Sequence, residues 1–189
     1  RDARGDHHTE LACKFFLGPL HACGEDAFNW LGPGGQDRLG LKLAHLRERQ
    51  LTLSNRPEAQ AVLVSLGIHK LQAELWLGGY LFYPWPNGCA IPHGAHPQHL
   101  RGHWLHHRQW LDFAAQNPNG RWLLLPRSRW LAPARSDQAS SLSLAQLTEQ
   151  LDSIDQQLRP LLIAQLQPQT DGDWHEVQRL FVLRDDWPS

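Results

Sequence analysis

Charge of neither sign is in surplus along this chain. Eighteen Lys and Arg stand against nineteen Asp and Glu, a formal net charge of −1 over 189 residues. The chain as a whole does not attract a polyanion, so any basic binding surface has to be local. Cysteine is scarce too. Cys13, Cys23 and Cys89 are odd in number and lack the paired spacing of a zinc site, which reads as buried thiols in a reducing, cytoplasmic compartment. No apolar run approaches the length of a membrane span, so no membrane partner is expected. Convincing internal repeats are also missing. The glycine-rich stretch ending Trp30-Leu31-Gly32-Pro33-Gly34-Gly35 lacks the lysine and spacing of a P-loop, and a plain loop is the simpler reading. Against these absences stands a composition of 41% hydrophobic and 20% charged residues, enough for one soluble domain with a proper core.

The organising stretch is residues 7–17, HHTELACKFFL. Thr9, Leu11, Cys13, Phe15 and Leu17 alternate with His8, Glu10, Ala12, Lys14 and Phe16, the period-two pattern of a strand, and Gly18-Pro19 stops it. Glu10 and Lys14 then share one face, about 13 Å apart along the backbone. A carboxylate and an ammonium in an apolar strand are costly to bury unless they pair or bind something. One reading is a structural ion pair at a strand edge. The other is a metal-binding acid and a charge-stabilising lysine, the minimum equipment of a phosphodiester-cleaving site.

Residues 36–51 carry the clearest helical pattern. Leu39, Leu43, Leu46 and Gln50 fall on one face, which points Gln50 inward towards a structural or site partner. Arg38, Lys42, His45 and Arg49 line a second face, either a solvated stripe or a surface that tracks phosphates. A second helix is expected from Pro57 to Leu66, and a long, largely apolar strand from Gln72 to Tyr83 with Glu74 at its entrance. Six histidines crowd residues 93–107. A helix there would stack His99, His103 and His107 as a metal face, whereas the plainer expectation is a histidine-rich loop and strand.

A short helix at 110–116 and a turn at 117–120 precede two short strands, 121–125 and 129–131, around Pro126. Residues 137–143 read as a polar linker. Beyond it Ser143 and Gln146 form a capping box, followed by an amphipathic helix through Leu144, Leu147, Leu151, Ile154, Leu158 and Leu161, bent or interrupted at Pro160. Residues 174–183 alternate again as a closing strand. The expected architecture is α/β or mixed α+β, a mixed central sheet flanked by helices. Residues 1–136 form the core domain, and 144–189 pack back on it as a C-terminal helix and strand.

The segments ELACKFFLG, WLGPGGQDRLGLKLAHLRERQLTLS, ELWLGGYLFYPW, HLRGHW, RWLLLPRSRWLAP and RLFVLRDDWP together resemble an uncharacterised bacterial family that carries a domain-of-unknown-function label. That family is similar in turn to the PD-(D/E)XK nuclease superfamily, which implies a restriction-endonuclease-like core. The resemblance implies Mg²⁺- or Mn²⁺-dependent hydrolysis of DNA or RNA. Glu10 matches the strand acid, Lys14 the lysine, and Lys42 or Gln50 the contribution of the following helix. Arg38, Lys42 and Arg49 would hold flanking phosphates. The superfamily's acid and lysine lie two residues apart, about 7 Å, whereas here they are four apart and Ala12 takes the lysine's usual place. The superfamily's first acid would fall upstream of Arg1, and RDARGD reads as a turn already in progress, so Asp6 is the substitute second metal ligand. A nuclease-like protein that binds nucleic acid without cutting it is the competing expectation.

Overall fold

The computed structural model describes residues 5–153, 159–170 and 172–188. Among them are seven strands, β1 Asp6–Leu17, β2 Leu71–Pro84, β3 Leu100–His106, β4 Arg121–Leu125, β5 Arg135–Ser136, β6 Leu161–Pro168 and β7 Trp174–Leu183. Four α-helices accompany them, α1 Leu39–His45, α2 Pro57–Ser65, α3 Trp110–Ala115 and α4 Leu144–Ser153. All seven strands join one mixed sheet in the order β1-β2-β3-β7-β6-β4, with β5 pairing beside β7. β1, β2, β3 and β7 run parallel, while β6 lies antiparallel to β7, and β4 antiparallel to β6. The expected mixed α/β class is therefore the observed one.

The two sheet faces bury different partners. On one, Leu17, Phe82, Trp104, Phe181 and Leu162 pack beneath Trp130, Ala134 and Trp187. On the other, Leu105, Leu180, Val182 and Ile163 meet Trp110 and Phe113 of α3 and Leu147 and Leu151 of α4. Phe16 and Tyr83 continue this second face towards Trp30 and Leu39, beneath α1. Loops thus cover the first face and helices the second.

One buried ion pair fixes the loop on the first face. The Arg179 guanidinium, with no exposed side-chain surface, donates to both Glu176 carboxylate oxygens at 2.6 and 2.7 Å. It also donates to the carbonyls of Trp130 and Ala132, and lies 4.2 Å from the Tyr80 ring centroid. Glu176 Oε2 in turn accepts from the Ala134 amide at 2.7 Å. Such a charge is tolerable in a core only when every donor is used.

The structure departs from the sequence pattern in the C-terminal stripe, at residues 129–131 and in the helix over 36–51. The C-terminal amphipathic stripe does not continue as helix to Leu161. α4 is described to Ser153, Ile154 and Leu158 lie outside the described residues, and Leu161 opens β6. Proline at 160 cannot extend a helix, and Leu161 to Leu166 are buried on both faces, so no alternation marks the strand. Residues 129–131 are not a strand, because Arg127–Arg129 forms a 3₁₀ turn and Arg179 takes the carbonyls that a sheet would need. The helix over 36–51 is α-helical only from Leu39 to His45. Leu46–Gln50 then widens into a π-helical turn closed by a bond from the Leu51 amide to the Leu46 carbonyl. The capping box at Ser143 and Gln146 forms as expected, with both reciprocal bonds present.

Candidate functional site

β1 crosses over through α1 and α2 to its parallel neighbour β2, and α1 packs on the strand face that carries His8, Glu10, Lys14 and Phe16. Both flanks of α1 reach that face. Just before the helix, Asp37 accepts a hydrogen bond from Lys14 Nζ at 2.7 Å. Beyond it, Ser54 Oγ lies 3.1 Å from His8 Nδ1. His8 Nε2 lies 3.1 Å from Glu10 Oε1. An ionised carboxylate only accepts, so the contact with Glu10 requires a proton on His8 Nε2. The Ser54 hydroxyl beside Nδ1 also lies 3.5 Å from the Leu51 carbonyl, to which it donates. Ser54, His8 and Glu10 therefore form a continuous chain of hydrogen bonds.

Glu10 and Lys14 do not pair with each other, which removes the simple strand-edge ion pair. Each charge has its own anchor. The Lys14–Asp37 pair is half open to solvent, with side chains 38% and 61% exposed, so it contributes under about 1 kcal/mol of stability. Its value is positional.

A glycine makes this geometry possible. Gly79 of β2 stands in register with Lys14 and has φ +121°, a left-handed conformation that side-chain-bearing residues avoid. A Cβ there would sit 1.8 Å from the Lys14 carbonyl oxygen. β2 passes beside Lys14 only because position 79 has no side chain.

The other expected site residues are more scattered. Arg38 is exposed and donates to the Phe28 carbonyl at 2.9 Å. Lys42 is half-buried, Arg49 is exposed, and Gln50 is half-buried at the end of the π turn. Asp6 lies four residues before Glu10 on the same strand face. Asp37, Ser54, His8 and Gly79 escaped sequence reasoning. Asp37 lay inside the stretch expected to be helical, but it stands two residues before α1, on the loop that reaches Lys14.

The histidine-rich segment takes the plainer of its two forms. Residues 100–106 are strand β3, so His99, His103 and His107 do not stack on a helix face. His99 Nδ1 lies 2.6 Å from the His96 carbonyl, and its Nε2 meets the Tyr83 hydroxyl at 2.8 Å. Burial pushes the imidazole pKa values of His99 and His103 down and the Tyr83 phenol up. Burial also raises the Cys89 thiol to about 11, which keeps it protonated and unreactive.

Among the described residues, no three His, Cys, Asp or Glu side chains converge closely enough to hold a metal ion. Glu10 still fits a looser role. Mg²⁺ retains several waters and is commonly held by one or two carboxylates together with substrate phosphates. A single half-buried carboxylate with one oxygen turned to His8 suits a cation that arrives with its phosphate.

The chain belongs to the family described as "Domain of unknown function (DUF1853)", whose model matches residues 1–183. No curated protein and no solved structure was found to match it. None of the described helices is long and apolar enough to cross a membrane.

Proposed function

We propose that this protein hydrolyses a phosphodiester bond of nucleic acid with the help of a divalent cation, Mg²⁺ or Mn²⁺. The observation that carries the reading is the placement of Glu10 and Lys14 on one strand face beneath the crossover helix, each held by its own partner, His8 on the strand and Asp37 on the loop before α1. A bound cation would polarise the scissile phosphate and lower the pKa of its water. The chain's own residues supply the rest. Glu10 presents a carboxylate fixed by His8, which Ser54 orients in turn. Lys14 places a permanent positive charge where negative charge develops, and Asp37 fixes the ammonium's position. Arg49 and Lys42 neutralise neighbouring phosphates without reading bases.

A second reading is a binding module that retains the cations but cuts nothing. It is favoured by the separation of Glu10 from Lys14 and by the lack of a three-ligand group among the described residues. Both readings predict binding that weakens steeply with salt.

The deciding experiment incubates the protein with mixed DNA and RNA substrates and Mg²⁺ or Mn²⁺, alongside Glu10→Ala and Lys14→Ala. Cleavage lost by at least about 100-fold in either variant supports hydrolysis, the scale expected for a transition-state charge stabiliser. Binding without cleavage selects the second reading. Variants that cut as fast as the parent would contradict the assignment of the site.

A further inference from the structure

The opposite face of the same sheet carries a feature that the proposed catalytic site does not use. Leu11 of β1 and Trp76 of β2 are register partners there, 73% and 60% exposed. Exposed Cys13 and Gly78 follow, and Phe15 and Tyr80 then enter the core. At that point Trp130 closes over Phe15, ring centroids 5.6 Å apart and edge-on. The loop holding Trp130 runs from Pro126 to Ser136 and bears Arg127, Arg129 and Arg135, with no acidic residue. All three arginines are exposed, and among the described residues none lies within ion-pair distance of a carboxylate. Arg127 lies 5.8 Å from the Trp130 ring centroid, and Arg129 reaches the Arg135 carbonyl.

This loop is held from beneath. The buried Arg179–Glu176 pair binds two of its carbonyls and one amide, so Trp130 and Ala134 face inward and the three guanidiniums outward. In a chain of net charge −1, three guanidiniums on a fixed backbone, without an ion pair among the described residues, are a local concentration of positive charge. Beside it lies an open sheet surface of Leu11, Cys13 and Trp76, bounded on its far side by Glu74, whose carboxylate lies 2.9 Å from His7 Nδ1.

We infer that this face binds single-stranded nucleic acid, with phosphates on Arg127, Arg129 and Arg135 and a base stacked on Trp76. The inference rests on the proposed nucleic-acid substrate and narrows it. A basic track beside an exposed aromatic platform is the combination by which proteins hold single strands without regard to sequence. A duplex keeps its bases stacked and offers Trp76 none. Along β1 the exposed Leu11 lies four residues, about 13 Å, before the Phe15 ring that Trp130 covers, so the indole platform and the arginine loop flank one stretch of the sheet.

The test measures binding of fluorescent 12-nucleotide DNA and RNA strands, and of the matching duplex, across a salt series without divalent cation. The proteins are the full chain, Trp76→Ala, the triple variant Arg127→Ala/Arg129→Ala/Arg135→Ala, and Lys42→Ala/Arg49→Ala. All the substituted side chains except Lys42 are exposed, and thermal melts confirm that each variant folds. Trp76→Ala is expected to weaken single-strand binding about 5- to 100-fold and to leave duplex binding nearly unchanged. The triple variant is expected to lower the salt-dependence slope by about 2, or about 0.7 for each lost phosphate contact. Unequal affinities for DNA and RNA would tell which strand is preferred. If only Lys42→Ala/Arg49→Ala weakens binding, the inference is overturned and the proposed function stands. If the parent protein binds no strand at low salt, both fail.

Discussion

The two ends of the sheet are built to different rules. In β6, six consecutive residues from Leu161 to Leu166 are buried, and β7 is buried from Arg179 to Leu183. In β1 and β2 only the C-terminal ends are buried, where β3 begins to pair at Tyr80. The first nine residues of β2 and the first ten of β1 form a two-stranded wing that carries His8, Glu10 and Lys14 on one face and Leu11 and Trp76 on the other. Fully buried strands supply stability, at about 25 cal/mol for each Å² of apolar surface removed from water. The half-open wing gives up such burial and keeps charged and aromatic groups accessible. Packing is therefore concentrated in one half of the sheet, and the proposed chemistry belongs to the other.

The largest effect should come from the well-packed half. Arg179→Ala leaves the Glu176 carboxylate buried and unpaired, and frees the loop carbonyls at Trp130 and Ala132. A loss of about 3–5 kcal/mol is expected in denaturant unfolding. A loss below about 1 kcal/mol would mean that the pair does not hold the loop.

Next is Gly79→Ala, where the wing joins the core. The φ of +121° and the contact with the Lys14 carbonyl both oppose a side chain, so the cost should be on the order of 3 kcal/mol. Any residual protein should also lose the Lys14–Asp37 geometry. Asp37→Ala, in contrast, removes only a half-exposed partner and should change stability by under about 1 kcal/mol. Activity is expected to fall in Asp37→Ala although the fold is intact. That split between stability and activity would sharpen the contrast between the two halves.

The smallest effect is a pH dependence at the junction. His99 and His103 have lowered folded-state pKa values because they are partly buried, against 6.5 for the free side chain. Below about pH 6.5 the unfolded chain therefore takes up protons that the folded chain refuses. Their contribution is complete above about 6.5 and is lost as the pH falls towards the lowered folded values. His103→Gln should flatten the stability profile below about pH 6.5. An unchanged slope would remove His103 from this role.

Sequence reading performed differently in the two halves for a physical reason. The β1 wing alternates polar and apolar residues, so its strand, its faces and the shared side of Glu10 and Lys14 were legible from period two alone. β6 was hidden because burial on both faces erases alternation, and a leucine run after a proline resembles the tail of a helix. The partners of the candidate site were hidden for another reason. Asp37 and Ser54 lie 23 and 46 residues from Lys14 and His8, and only the packing of the crossover on β1 brings them together. Gly79 looked like a neutral position within a strand, since its need for positive φ is set by a neighbouring backbone.

The central claim is that nucleic acid engages the half-open wing and leaves the buried half undisturbed. Amide hydrogen exchange with and without a single-stranded oligonucleotide tests it directly. Binding should slow exchange in residues 6–15, 71–79 and 127–135, while 161–166 and 180–183 exchange as before. Protection confined to β6 and β7, or no change anywhere under conditions where the strand is bound, would contradict it.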